Sequence, residues 1–436
     1  MSLLRTMALI GLAALSLGAC NRERPLEGER VDLRAPWGET GAAIQNRSLP
    51  ISLGATSANG AWTQRQGTSG ARPGHPALAA SPQLVWSAPI GEGDSRRVRL
   101  TTDPVAAEGR IFTLDARARV QATSTNGEAL WSVDLTPARD QRNTASGGAL
   151  AVAGGRLYVS SAFAFVAALD ATTGREIWRS EFDSPLTGSP AVMGDTLYLS
   201  AADGTLWALD ATNGRIRWTL PGTPALAALA RGSAPAIAGE YVVFPMQSGE
   251  LTAVRRANGG RVWTTAAVGR RTGAAAATIS SLSGDPVVDG SRLYAANQSG
   301  RLFALNAATG APIWTADEGA YGPVWPVGGS VFLVSDQNRL LRLDASDGSV
   351  IWAVDLPLYT TERVRRQLAI YPQHGPVLAG GRIWVASGDG ALRGFDPASG
   401  ARVAELAIPG GAASGPIAVG GALYILSRDG ALLAYR

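Results

Sequence analysis

The sequence predicts an all-β chain closed into a single eight-bladed β-propeller over residues 82–436, with four antiparallel strands per blade. Three observations predict it. A unit of short strands, tight turns and a tryptophan-bearing strand recurs along the chain, the signature of a repeat architecture. The glycines and prolines, 53 and 25 of 436 residues, are spread as turn punctuation rather than pooled. One strand-like segment stands alone before the first unit, and the last unit ends without an outer strand. Length alone would otherwise favour two or three domains.

The clearest unit runs from Ser189 to Gly222 and divides into strands Pro190 to Met193, Thr196 to Ala201, Thr205 to Asp210 and Arg215 to Leu220. Gly194-Asp195, Asp203-Gly204 and Asn213-Gly214 separate them, pairs that tolerate the positive φ of tight hairpin turns. Equivalent inner hairpins fall at about 104–122, 149–170, 190–210, 235–254, 286–305, 324–343, 376–395 and 416–435. Outer strands carry Trp131, Trp178, Trp218, Trp263, Trp314 and Trp352, each four residues after a glycine, whereas the seventh copy has Gly400 followed by Ala404. The eighth hairpin reaches the C-terminus with no outer strand, and QLVWSAPIG at 83–91, containing Trp86, is the strand that would complete it. Closure of that kind leaves only short, protected edges. One large apolar ring per blade fills the widening gap between neighbouring sheets. Trp207, Trp325 and Trp384 lie outside the series and read as blade core.

The first residues are not part of this fold. Met1 to Arg5 are positive, Met7 to Leu17 are apolar but too short to span a membrane stably, and LGAC follows at 17–20. This is similar to a bacterial lipoprotein signal, so residues 1–19 are expected to be removed and Cys20, the sole cysteine, to carry the lipid. No internal disulfide is possible with one thiol. The acyl chains of a mature lipoprotein, diacylglycerol with palmitate, would hold the protein to a membrane, and Asn21 after the cysteine favours the outer one. Residues 20–81 read as a lipidated tether with an N-terminal strap, because Trp37 and AWTQRQG at 61–67 interrupt an otherwise polar, turn-rich stretch.

Composition removes several classes of function. All 39 basic residues are arginine, which excludes lysine chemistry, and a formal net charge of +4 over this length offers no concentrated basic face for nucleic acid. His75 and His374 are the only histidines, one in the tether and one in a loop, and read as solvated loop residues rather than metal ligands or paired bases. Asp170, Asp210, Asp344 and Asp396 recur at one blade position beside a turn, which points to turn hydrogen bonding, since a catalytic group is needed once. GDG at 388–390 is a turn, not a phosphate loop. The expectation is therefore no catalytic residue, no metal and no cofactor.

The pattern GRLYV, a turn, then LxALDAxTGxxxW, at 155–178, 194–218 and 290–314, resembles the repeats of pyrroloquinoline-quinone (PQQ) enzymes and their relatives. Within that superfamily, a lipoprotein signal followed by one propeller resembles the BamB family, lipoproteins of the machinery that assembles β-barrel proteins into the outer membrane. LAALARGSAP at 226–235 is similar to the family's leucine-rich stretch ending in Arg-Gly, with Arg231 and Gly232 matching and Leu226 and Leu229 supplying leucines. ISSLSGDPVVDGSRLY at 279–294 resembles a second family loop through Leu282, Ser283 and Asp285, but is shorter and lacks one acidic position. The resemblance implies a non-catalytic scaffold on the periplasmic face of the outer membrane. It would bind the periplasmic domains of the barrel-forming subunit through those residues, beside the other lipoproteins of the complex and unfolded outer-membrane proteins. A quinone-dependent dehydrogenase and a scaffold of another envelope complex stay open as alternatives.

The stretches 132–148, 219–234, 264–285 and 353–375 are longer than turns require and share one face of the ring. They carry Arg139, Arg142, Arg231, Arg270, Arg271, Arg363, Arg365 and Arg366, and RVRRQ at 363–367 points to an anionic or mixed-charge partner.

Overall fold

A computed structural model describes residues 44–436 except 141–144, 146, 187, 224–231, 268, 270 and 272–280. Eight antiparallel four-stranded sheets form the ring. Seven are continuous in sequence, and each uses its first strand as the innermost and its fourth as the outermost. The third blade consists of Ala191–Met193, Thr196–Ser200, Leu206–Asp210 and Ile216–Leu220, within a residue or so of the boundaries that its turn chemistry predicts. The eighth takes Ile417–Val419, Ala422–Leu426 and Ala431–Tyr435 from the C-terminus and Leu84–Pro89 from the N-terminal side. That last strand pairs antiparallel to Ala431–Tyr435, with Leu84 opposite Tyr435 and Pro89 opposite Ala431.

The recurring tryptophans join one blade to the next. The indole N–H groups of Trp86, Trp131, Trp178, Trp218, Trp263, Trp314 and Trp352 donate to Thr125, Ala171, Ala211, Arg256, Ala307, Ala345 and Pro397, backbone carbonyls in the following blade, at 3.0–3.3 Å. Each acceptor sits in the turn between the third and fourth strands of that blade, and the turn's glycine lies under the ring. A Cβ built on Gly127, Gly174, Gly214, Gly259, Gly310, Gly348 or Gly400 would meet the indole at 2.5–2.9 Å. The glycine four residues before a tryptophan therefore receives the ring of the preceding blade. Ala404 follows from the same rule. It faces the eighth blade, whose third and fourth strands come from opposite ends of the chain, so no turn exists to offer a glycine and a carbonyl. There the Tyr435 hydroxyl bonds the Ala407 carbonyl instead, at 2.7 Å.

The aspartates beside the turns cap them. Asp170, Asp210, Asp344 and Asp396 accept hydrogen bonds from the N–H and hydroxyl groups of Thr173, Thr212, Ser346 and Ser399. Trp325 and Trp384 are buried, and Trp207 packs edge-on against Phe182.

Residues 59–72 lie inside the ring and contact the first strand of every blade. Asn59 bonds Ala418, Trp62 pairs with Ala106, Thr63 accepts from Val152, and Gln64 donates to Val192. Ser69 and Gly70 accept from Ile237 and Val288, Arg72 donates to Pro376, and the Trp62 ring lies 6.2 Å from that of Trp325. The innermost strands are sheet edges with spare backbone groups, and this plug satisfies part of them. His75 is buried rather than solvated: its ring nitrogens contact the Gly54 carbonyl and accept the Gly381 N–H, which ties the end of the plug to the seventh blade.

Candidate functional site

In blades of this order the turns between strands one and two, and three and four, emerge on one face. The turns between strands two and three, and the connections to the next blade, emerge on the other. The plug bonds the first strands near the former face; the long connections stand on the latter. Among the sequence-predicted contact residues, Leu226, Leu229 and Arg231 lie outside the described residues, as do Cys20, Trp37, Arg142 and Arg270. Gly232, Leu282, Ser283 and Asp285 are described, and they meet.

The loop reading of residues 282–285 needs correcting. The innermost strand of the fifth blade spans Leu282–Asp289, carried past Pro286 by irregular pairing in which Leu282 opposes Asn297 and Gly284 opposes Ala296. Leu282, Ser283 and Asp285 are consequently buried, Asp285 to 1% exposure. The Asp285 carboxylate accepts the Ala234 N–H at 2.6 Å and pairs with Arg65 of the plug at 3.0 Å. Arg65 in turn donates to the Gly232 carbonyl at 3.2 Å and lies 3.4 Å from Asp103. The Ser233 hydroxyl donates to the Leu282 carbonyl at 2.8 Å, and Ser283 to Ala320. The two family-like motifs thus join at their bases: the acid of one holds the Gly232–Ala234 end of the other. Arg65 and Asp103 were not singled out from the sequence, because their partners lie far away in the chain and no local spacing marks them.

Above the plug, on the long-loop face, is an axial cavity of ≈ 390 Å³. Its floor holds Trp62 and Arg72, whose guanidinium lies 4.2 Å from the Trp325 ring centroid and 5.4 Å from that of Trp62. Burial pulls the Arg72 pKa down to about 9, against the raising influence of Asp285 and Asp103, so it stays cationic at neutral pH. Tyr321, Ile370, Tyr371 and Pro372 form apolar walls.

Among the loop arginines, Arg271 is structural. It makes a two-pronged bond to Asp336 at 3.1 Å and faces Glu318, which Arg339 also contacts. Burial raises the Glu318 pKa, against the opposing pull of Arg339 and Arg271. Arg139 makes long, exposed contacts to Asp140 and Glu181. Arg363, Arg365 and Arg366 are exposed on and beside the 3₁₀ turn Val364–Arg366.

Residues 116–354 match the family model described as outer membrane protein assembly factor BamB. The chain belongs to the BamB family. No curated protein matches the sequence. Among solved structures, BamB from Moraxella catarrhalis is similar with a TM-score of 0.67 at 18% identity, over 81% of this chain and 99% of that one. Quinohemoprotein alcohol dehydrogenase from Comamonas testosteroni follows at 0.66 and 15%, over 87% and 81%. Quinohemoprotein alcohol dehydrogenase ADHIIG from Pseudomonas putida HK5 gives 0.64 and 14%, over 86% and 80%. At such identities the similarity shows the shared propeller, not the activity.

The enzyme neighbours raise the question of a cofactor, and the BamB-family cavity fits one poorly. A calcium-assisted quinone site needs a set of oxygen ligands. The carboxylates nearest the cavity are committed: Asp285 to Arg65 and Ala234, Asp103 to Arg65 and the Gly415 N–H. Among the described residues no group of three or more His, Cys, Asp or Glu side chains is placed to hold a metal ion.

Proposed function

We propose that this BamB-family chain is a non-catalytic scaffold subunit of the outer-membrane β-barrel assembly machinery, held to the periplasmic face of the outer membrane through a lipid on Cys20. In this reading it binds the periplasmic domains of the barrel-forming subunit through the connection 224–231, with Leu226, Leu229 and Arg231 in contact and Gly232 at its base. It would stand beside the other lipoproteins of the complex and raise the local concentration of unfolded barrel substrates.

Family membership supports the class. The observation that carries the mechanism is the buried ion pair that holds residues 232–234, which follow this connection in the chain. Arg65 and Asp285 bond to Gly232 and Ala234, restraining the loop's exit. Pre-ordering of that kind reduces the entropy lost when a partner docks. Leu282, Ser283 and Asp285 act in this reading as the loop's foundation, not its contact surface. Leu229→Ala and Arg231→Ala should each lower recovery of the barrel-forming subunit in affinity purification from membranes, about tenfold if they are interface anchors, while leaving thermal unfolding unchanged. Undiminished recovery with both variants sinks the assignment of this loop.

A further inference from the structure

We infer that the axial cavity and the arginine prong beside it form a second docking site, for an acidic polypeptide segment that inserts an apolar side chain into the cavity. The inference stands apart from the reading above: its arginine prong lies on the connection between the sixth and seventh blades, and it needs no contact at residues 224–231.

Three observations carry it. First, the connection between the sixth and seventh blades projects as a loop closed by pairing of Tyr359 with Ile370. Arg363, Arg365 and Arg366 are all exposed on it, and no ion pair engages them among the described residues. Glu362 is the one acid among these neighbours, so the prong keeps a net positive charge. Second, Leu368 on the same loop is 93% exposed, and Ile370 and Tyr321, at 44% and 42%, stand at the cavity. The other exposed large apolar residues of the blades, such as Ile177, Ile216, Ile313 and Val403, lie mostly on outer strands at the rim. Among the described residues, apolar exposure on the long-loop face therefore gathers beside the prong. Third, the plug gives the cavity a floor, in Trp62 and Arg72. A volume of ≈ 390 Å³ lies at the small end of ligand pockets and suits one or two side chains better than a large cofactor.

The occupant follows from charge and shape. Three exposed guanidiniums attract carboxylates and confer specificity as well as a faster encounter. An apolar socket beside them favours a chain in which an aromatic or aliphatic residue is flanked by Asp or Glu. A membrane surface matches less well: the prong offers Leu368 as its one strongly exposed apolar side chain, and a concave socket gives lipid headgroups nothing to fill.

The test uses the full chain purified in detergent without any partner protein, so its result is independent of the barrel-forming subunit. A fluorescein-labelled acidic peptide with one central phenylalanine is titrated by anisotropy, beside a peptide with serine for phenylalanine and another with Asn and Gln for the acids. The acidic phenylalanine peptide should bind in a salt-sensitive manner and each control at least about tenfold more weakly. The triple variant Arg363→Gln, Arg365→Gln, Arg366→Gln should lose about tenfold, and Ile370→Ser should abolish the preference for phenylalanine over serine. Both changes fall on exposed side chains, and unfolding curves check that the fold is kept. Equal affinity for the serine peptide, an unaffected triple variant or no peptide binding each overturns the proposal. So does capture by phosphatidylglycerol vesicles that depends on the three arginines while the peptide stays unbound.

Discussion

Each tryptophan of the series is half of an inter-blade lock whose other half is a glycine and a carbonyl in the next blade. Trp352 is the most buried, fully enclosed with its N–H on Pro397 at 3.2 Å. Trp352→Ala removes the ring's apolar burial, leaves a cavity and orphans that carbonyl, for an expected loss of about 3–5 kcal/mol, measurable by urea or thermal unfolding. Ala404→Trp should bring no comparable gain, although it restores the repeat, because the eighth blade has no turn to receive the ring. A clear rise in stability for Ala404→Trp would show that ring burial alone, without the turn, makes the lock.

Elements are tied together by the plug. Arg65 reaches across the ring from the first blade's Asp103 to Asp285 of the fifth and the base of the fourth blade's loop. A buried pair of this sort adds little net stability over an apolar substitute, but removing one partner strands the other. Asp285→Leu should therefore destabilise by about 3 kcal/mol, near the lower end for a broken buried pair because Asp103 still faces Arg65. Adding Arg65→Met should recover part of that loss. Limited proteolysis near Gly232 is the second readout: cleavage should increase in Asp285→Leu and remain high in the double variant, since neither restores the bonds to Gly232 and Ala234. Unchanged cleavage in both would mean that the ion pair does not restrain the loop.

For the whole molecule, closure depends on Leu84–Pro89. Without it, Ala431–Tyr435 becomes an open edge and Trp86 no longer spans to Thr125 in the first blade. A chain beginning after residue 91 should unfold at lower temperature and self-associate through the free edge, seen as higher-mass species in size-exclusion chromatography. A synthetic peptide of residues 83–91 should suppress that association. If the shortened chain, which lacks residues 59–72 as well, stays monodisperse and equally stable, neither Leu84–Pro89 nor the plug is needed to close the ring.

Repeat chemistry determined the propeller, the number of blades, the N-terminal clasp and the capping role of the recurring aspartates. These are local matters: turn residues at fixed offsets and one tryptophan per unit are written within a few tens of residues. The family resemblance was equally legible in the sequence. Tertiary structure alone decided the rest. His75 is buried, Asp285 is a foundation within a strand, and Arg271 is locked to Asp336, because partners on different blades come together only when the ring closes. The plug was visible only as an interruption at 61–67; its contacts with all eight blades depend on the geometry of the channel. A periodic pattern records what each blade does for itself and its neighbour, whereas the axial site is made where all the blades converge, and no spacing along the chain encodes that convergence.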